Sequence, residues 1–225
     1  MIITGTGTGV GKTIAAATLG WAWQQPVLKP LQTGNDDDAA VVTKLTGIAG
    51  DVYRRYPDPL APNLAAKRAG LAQADRDAVG QWISDFRAEH GICLVEGAGG
   101  LLVRLGTDRN GREFSALDLA KDLGEKLVVV TSTGLGSLNM AELTVRTAEA
   151  AGVEVAGLIG GSMPEQPDLA TELNVQELPR VTGKPLWFSL PEAMGECSPE
   201  EFRECVDKLG VPAFHTVAGL PMLGM

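Results

Sequence analysis

Short apolar runs rich in β-branched residues alternate along the chain with longer stretches whose apolar positions recur at helical spacing. The runs Ile2–Thr4, Val27–Lys29, Ile92–Val95, Leu127–Thr131, Val155–Ile159 and Leu186–Phe188 read as strands. Between them, Lys12–Gln24, Asp37–Thr46, Asp75–Glu89, Ser115–Leu123, Ser137–Ala151, Asp168–Leu178 and Pro199–Leu209 read as helices. Strands that stay apolar with little alternation, separated by helices, predict a parallel sheet covered on both faces. Such α/β sheets take ligands beyond the carboxyl ends of their strands. The glycine-rich and charged segments of this chain fall just after strand candidates, where that rule places a site. The tail after Gly210 is apolar and rich in Gly and Pro, and no element is assigned to it.

Composition narrows the function classes. The 225 residues are 44% hydrophobic, and no glycine-serine or proline tract divides them, so one domain over residues 1–225 is expected. A net charge of −9 argues against a nucleic-acid surface, which needs clustered Lys and Arg to neutralise phosphates. Cys93, Cys197 and Cys205 match neither a disulfide framework nor a zinc spacing, and a reduced cytoplasmic compartment is expected. No apolar run approaches membrane-spanning length, and with a strand expected from Ile2 no signal peptide is expected. His90 and His215 are the two histidines; both are expected at the surface, which weakens any mechanism built on imidazole.

Four segments carry candidate chemistry. The first is "ITGTGTGVGKT", a strand running through a glycine-rich loop into a helix. The common phosphate-loop pattern G-x-x-x-x-G-K-[ST] would place its first glycine at Thr6; the nearest glycine, Gly5, is one residue early. The dinucleotide pattern G-x-G-x-x-G fails as well, because its third glycine falls on Val10. The mechanical parts of a phosphate loop are nonetheless present. Glycines let several backbone N–H groups point inward, and the helix start adds partial positive charge. Gly7, Thr8, Gly9, Val10, Gly11, Lys12 and Thr13 are therefore expected to wrap a nucleotide's phosphates, with Lys12 reaching the β- and γ-phosphates and Thr13 offering its hydroxyl to magnesium.

In the second segment, "LKPLQTGNDDDAAVV", Lys29 leaves a strand and a short loop leads to Asp36, Asp37 and Asp38. Those aspartates suit a solvated helix N-terminus and a phosphate–magnesium site equally well. The third, "ICLVEGAGG", ends an apolar strand on Glu96, the position of the acid that sits beside the metal in phosphate-loop enzymes. In the fourth, "TGLGSLNMAELT", a strand gives way to a glycine loop and a helix start near Ser137 and Asn139. Helix capping alone accounts for that segment, although free N–H groups there also suit a carboxylate.

Taken in this order, "GTGTGVGKT", "KPLQTG" and "VEGAGGLLV", with "YPDPLAPNLAA" between the last two, resemble the dethiobiotin synthetase family from Ile2 to about Ser189. That family has five residues between its first loop glycine and GKT, as Gly5 to Gly11 has here, so the odd spacing is part of the resemblance. The resemblance implies a P-loop NTPase-type three-layer α/β/α fold with a mainly parallel central sheet, assembled as a homodimer. It implies ATP- and Mg2+-dependent closure of the ureido ring of dethiobiotin from 7,8-diaminononanoate and CO2. The family route forms a carbamate on one amine, then a carbamic–phosphoric anhydride, which the second amine attacks.

By residue, the resemblance places Thr8 and Lys12 near the carbamate and phosphates, and Lys29 where it neutralises the carbamate and the transferring phosphoryl group. Thr13, Asp38 and Glu96 match the metal side, and Thr33 matches a substrate-contacting hydroxyl. Gly136, Ser137 and Asn139 match the element that holds the substrate carboxylate across the dimer interface. Where some members carry Asn to read adenine, "GLIGGSMPE" has Gly161 and Ser162, which implies a relaxed base pocket shaped with Pro191 and Glu192. Asn63 stands where several members have His. Switch ATPases of the MinD/ParA type usually carry an early loop lysine; Gly7 occupies that position here. An amidotransferase-linked ligase would need a glutaminase domain with Cys and His, which is not expected within these 225 residues.

Overall fold

The computed structural model describes residues 1–219; residues 220–225, the end of the Gly- and Pro-rich tail, lie outside the described residues. In chain order the elements are β1 (Ile2–Gly5), α1 (Lys12–Trp23), β2 (Val27–Thr33), α2 (Asp38–Thr46), β3 (Asp51–Tyr56), α3 (Pro62–Arg68), β4 (Ala74–Asp75), α4 (Arg76–His90) and β5 (Leu94–Gly100). They continue with β6 (Gly106–Thr107), β7 (Glu113–Phe114), α5 (Ala116–Leu123), β8 (Leu127–Thr131), α6 (Ser137–Ala150), β9 (Val155–Met163), α7 (Leu169–Thr182), β10 (Leu186–Pro191), α8 (Pro199–Lys208) and α9 (Phe214–Ala218).

A seven-stranded sheet, ordered β10-β9-β8-β1-β5-β2-β3, has parallel pairing throughout. Adjacent residues of one strand feed opposite cores. Ile2, Leu127 and Val129 pack in the core shared with α3 to α7, while Ile3, Val128 and Val130 pack with α1, α2 and α8. Burial on both faces is why these strands read as continuous apolar runs. Among the described residues no helix is long and apolar enough to cross a membrane.

All six strands expected from the sequence form, and several run further than their apolar cores. β2 continues to Thr33 rather than stopping at Lys29, and β5 continues through Gly100, so Lys29 and Glu96 lie within strands instead of at their ends. Pro30, within β2, has no N–H to donate to either neighbouring strand. Pairing of β2 with β5 covers only Val27 and Leu28, whereas pairing with β3 runs on to Thr33. β2 and β5 thus separate at their carboxyl ends, next to the loop after β1.

Two elements beside the central strands have no clear signature in the sequence. β3 is an edge strand whose sequence, DVYRRY, leaves most positions at least partly exposed, so it lacks an apolar run. α3 is short and opens on a proline at its first turn. The helix expected to end at Leu178 instead extends to Thr182 with Pro179 inside it. A small second sheet, β4-β6-β7, and helix α9 complete the described chain. His90 and His215 are exposed, as expected.

Candidate active site

The loop from β1 to α1 carries two glycines with left-handed backbone, Gly9 at φ +73° and Gly11 at φ +92°, conformations that a side chain would strain. Gly11 is the N-cap of α1, and no side chain caps that helix. The first-turn N–H groups are consequently left to face the loop's concavity. Lys12 is buried and folds back to donate to the Gly7 carbonyl at 2.8 Å. Burial, and then the neighbouring Lys29 charge, push the Lys12 pKa down.

Thr13, Lys29, Asp38 and Glu96 converge from α1, β2, α2 and β5. The Thr13 hydroxyl lies 2.8 Å from Asp38 Oδ1 and 3.1 Å from Glu96 Oε1, and its single proton donates to one of them at a time. Lys29 Nζ sits 2.6 Å from Asp38 Oδ2, 2.7 Å from Glu96 Oε1 and 3.2 Å from the Gly97 carbonyl. Burial works against the Lys29 ammonium, but the Glu96 and Asp38 carboxylates outweigh it and raise its pKa. Burial pushes the Glu96 pKa up despite Lys29. Burial would also raise Asp38, yet the Lys29 charge and the hydrogen bonds from Lys29 and Thr13 hold it below the usual carboxylate range.

The acidic run resolves into separate roles. Asp37 is the N-cap of α2 and accepts from the Ala40 N–H at 3.1 Å. Asp38 turns inward to the cluster, and Asp36 lines the mouth of the cleft. Gln32, to which sequence reasoning assigns no role inside "KPLQTG", accepts from the Asp38 N–H at 3.2 Å and so holds the start of α2. Its one signal is its place in a segment already singled out, two residues before Gly34.

Thr8, Gly9, Gly11, Lys12, Thr13, Lys29, Thr33, Asp38 and Glu96 line one cleft of about 690 Å³. Gly136, Ser137 and Asn139, at the start of α6, do not line it. Nor do Gly161, Ser162, Pro191 and Glu192, at the ends of β9 and β10, which the Glu192 N–H joins by donating to the Met163 carbonyl at 2.9 Å. Gly161 instead abuts the loop itself: a Cβ there would come within 2.2 Å of the Val10 carbonyl oxygen.

Among the described residues no group of three or more His, Cys, Asp and Glu side chains is placed to hold an ion. The set here is smaller, two carboxylates and a hydroxyl, all hard oxygen donors. Magnesium suits such a set because it usually keeps several waters and binds one or two carboxylates together with substrate phosphates.

A family model described as an AAA domain matches residues 1–195. A protein of Corynebacterium diphtheriae named ATP-dependent dethiobiotin synthetase BioD is 47% identical over 221 residues, covering 94% of this chain and 97% of that protein. A protein of the same name from Corynebacterium efficiens is 51% identical over 212 residues, covering 90% and 94%. This chain belongs to the dethiobiotin synthetase family. The fold of this dethiobiotin synthetase family member is also similar to a ParA family ATPase from Chlorobium tepidum, with TM-score 0.54, 14% identity and coverage of 92% and 91%. The septum site-determining protein MinD of Pyrococcus horikoshii is similar at TM-score 0.54, 19% identity and coverage of 94% and 86%. At such identities the likeness concerns the three-layer α/β/α fold alone.

Proposed function

We propose that this chain is an ATP-dependent dethiobiotin synthetase, closing the ureido ring of dethiobiotin from 7,8-diaminononanoate, CO2 and ATP. The observation that carries the reading is the buried Lys29 ammonium held between Asp38 and Glu96 within the cleft that the phosphate loop lines. Phosphoryl transfer calls for positioning and charge neutralisation rather than a side-chain nucleophile. This cleft supplies cations and oxygen donors, while both histidines lie at the surface.

In this reading the loop amides from Gly7 to Thr13 bind the triphosphate, and Lys12 exchanges the Gly7 carbonyl for phosphate oxygens. Thr13, Asp38 and Glu96 would hold Mg2+, which when bound neutralises phosphate charge. A carbamate oxygen attacks the γ-phosphorus; the new P–O bond forms as the bond to the β-phosphate oxygen breaks and ADP leaves. The second amine then attacks the carbamoyl carbon, its C–N bond forming as inorganic phosphate departs and the amine loses a proton. Lys29 neutralises charge on the carbamate and on the group in flight, and Thr8 and Thr33 orient the substrate.

A second copy of the chain completes the site. Gly136, Ser137 and Asn139 lie outside the cleft of their own chain, which supports a partner bringing them to a substrate bound there. Leu135, Leu143, Leu169 and Leu173 are exposed around α6 and α7, Leu135 to 92%, and supply apolar surface for that partner. The base would lie beside Ser162, Pro191 and Glu192; Gly161, packed against the Val10 carbonyl, offers it no side-chain amide, and several bases are accepted. A cytoplasmic biosynthetic role accompanies the reading.

Incubating the protein with 7,8-diaminononanoate, bicarbonate and MgATP should yield dethiobiotin, detected by mass. ATP hydrolysis without that product overturns the proposal.

A further inference from the structure

The turn that launches α6 is held from the neighbouring helix. Asn174 lies in α7 and is 7% exposed. Its amide Nδ2 donates to the Gly134 carbonyl at 2.7 Å and to the Thr133 carbonyl at 3.1 Å. The Gly134 carbonyl also accepts the Ser137 N–H at 3.1 Å, so one buried amide ties α7 to the first residue of α6. The helix start has no cap of its own. Its N-cap is Gly136, left-handed at φ +92°, with no side-chain cap and no acidic residue in the first turn. The buried Ser137 hydroxyl has no hydrogen-bond partner among the described residues.

An unpaired buried hydroxyl beside uncapped helix amides is an acceptor-seeking arrangement, and its direction is useful only if the turn behind it is rigid. Asparagine is well matched to that task. Its amide N–H groups span two carbonyls, which an ionised aspartate of the same shape could not do. Mid-helix asparagine is a weak helix former, so helix propensity does not account for its place.

We propose that Asn174 is a positioning residue for substrate: by clamping Thr133 and Gly134 it aims the Ser137 hydroxyl and the first-turn amides of α6 at the substrate carboxylate. The proposal rests on the reading above, in which the start of α6 receives that carboxylate.

Three variants separate the two ideas. Asn174→Ala and Asn174→Asp should each raise KM for 7,8-diaminononanoate about tenfold, the loss of one well-aligned charged hydrogen bond. KM for ATP and kcat at saturating substrate should stay within about twofold of the parent, as expected when uniform binding is lost. Ser137→Ala should raise the same KM. With the methyl ester of 7,8-diaminononanoate, which has no carboxylate, the parent and the Asn174 variants should share one KM. If Ser137→Ala raises KM while the Asn174 variants do not, the positioning role is overturned and the α6 reading stands. If neither residue affects KM, the α6 reading falls and takes the proposal with it. Equal loss in kcat and in KM for both substrates, together with a lowered melting temperature, marks a merely structural residue and also overturns it. Should Asn174→Ala not fold, Asn174→Gln, which moves the amide outward on a longer arm, is judged by the same comparison.

Discussion

Replacing Lys29 by methionine removes a buried charge while keeping most of the stem. The ammonium lies 2.7 Å from Glu96 and 2.6 Å from Asp38, with side-chain exposures of 5%, 1% and 23% for Lys29, Glu96 and Asp38. At an effective dielectric of about 20, one such contact is worth about 6 kcal/mol of attraction. Desolvation of each buried ion takes back several kcal/mol, and removing one partner of a buried pair typically costs about 3–5 kcal/mol. The lower end applies here, because Asp38 is partly solvated and Glu96 can take up a proton. A loss of about 3 kcal/mol in a chain of this size should lower the melting temperature by about 6–12 °C. Urea unfolding and thermal melts at pH 7 measure it. Adding Glu96→Gln removes the carboxylate left unpaired and should restore at least about 1.5 kcal/mol, the coupling expected of groups in contact. In turnover, Lys29→Met should cost about 10²–10³ in kcat, the scale of losing one charge-stabilising group at a reacting centre. A variant melting within about 2 °C of the parent, with no restoration by Glu96→Gln, would refute the account of the buried cluster.

Glu96→Gln by itself should raise the magnesium concentration needed for half-maximal turnover by about tenfold, read by titrating magnesium at fixed ATP; an unchanged requirement counts against a metal role. Gly161→Asn should push the phosphate loop aside, because its Cβ would meet the Val10 carbonyl at 2.2 Å. Overpacking of this kind costs about 1–3 kcal/mol, so KM should rise for ATP, CTP, GTP and UTP alike; a variant that gains ATP preference with no loss of affinity contradicts this. In the parent, turnover at subsaturating nucleotide should differ little among the four, and a strong ATP preference would sink the relaxed-pocket reading. The Lys29 pKa is raised in the folded chain above its ordinary 10.5. Its stabilisation is therefore complete below that value and is lost as pH rises through the higher folded-state value. The stability gap between parent and Lys29→Met should shrink on going from about pH 9 to about pH 12, and a constant gap would rule this out.

Local pattern carries much of this molecule. Five central strands announce themselves as apolar runs because both of their faces are buried, and the loop "TGTGTGVGKT" shows its parts because glycine, lysine and threonine have mechanical roles that need no tertiary context. The acidic run shows where such reading stops. Asp36, Asp37 and Asp38 are chemically identical in sequence, and only the way α2 is set against β2 makes one a cap and another a partner of Lys29. β3 is hidden for a related reason: an edge strand is solvated, so its residues need not be apolar.

Gly161 marks the same boundary from the other side. Residue identity alone says that no side chain stands there, and the resemblance makes that a missing base contact. Packing adds that the loop after β1 fills the space, its Val10 carbonyl standing where a Cβ would go. Asn174 is legible from structure alone as well, since its partners lie 40 and 41 residues away along the chain. Residue type and spacing determine which amides, hydroxyls and charged side chains the chain has to offer. The close approach of distant backbones, set by how helices pack across the sheet, decides which of those groups meet and in what direction they point.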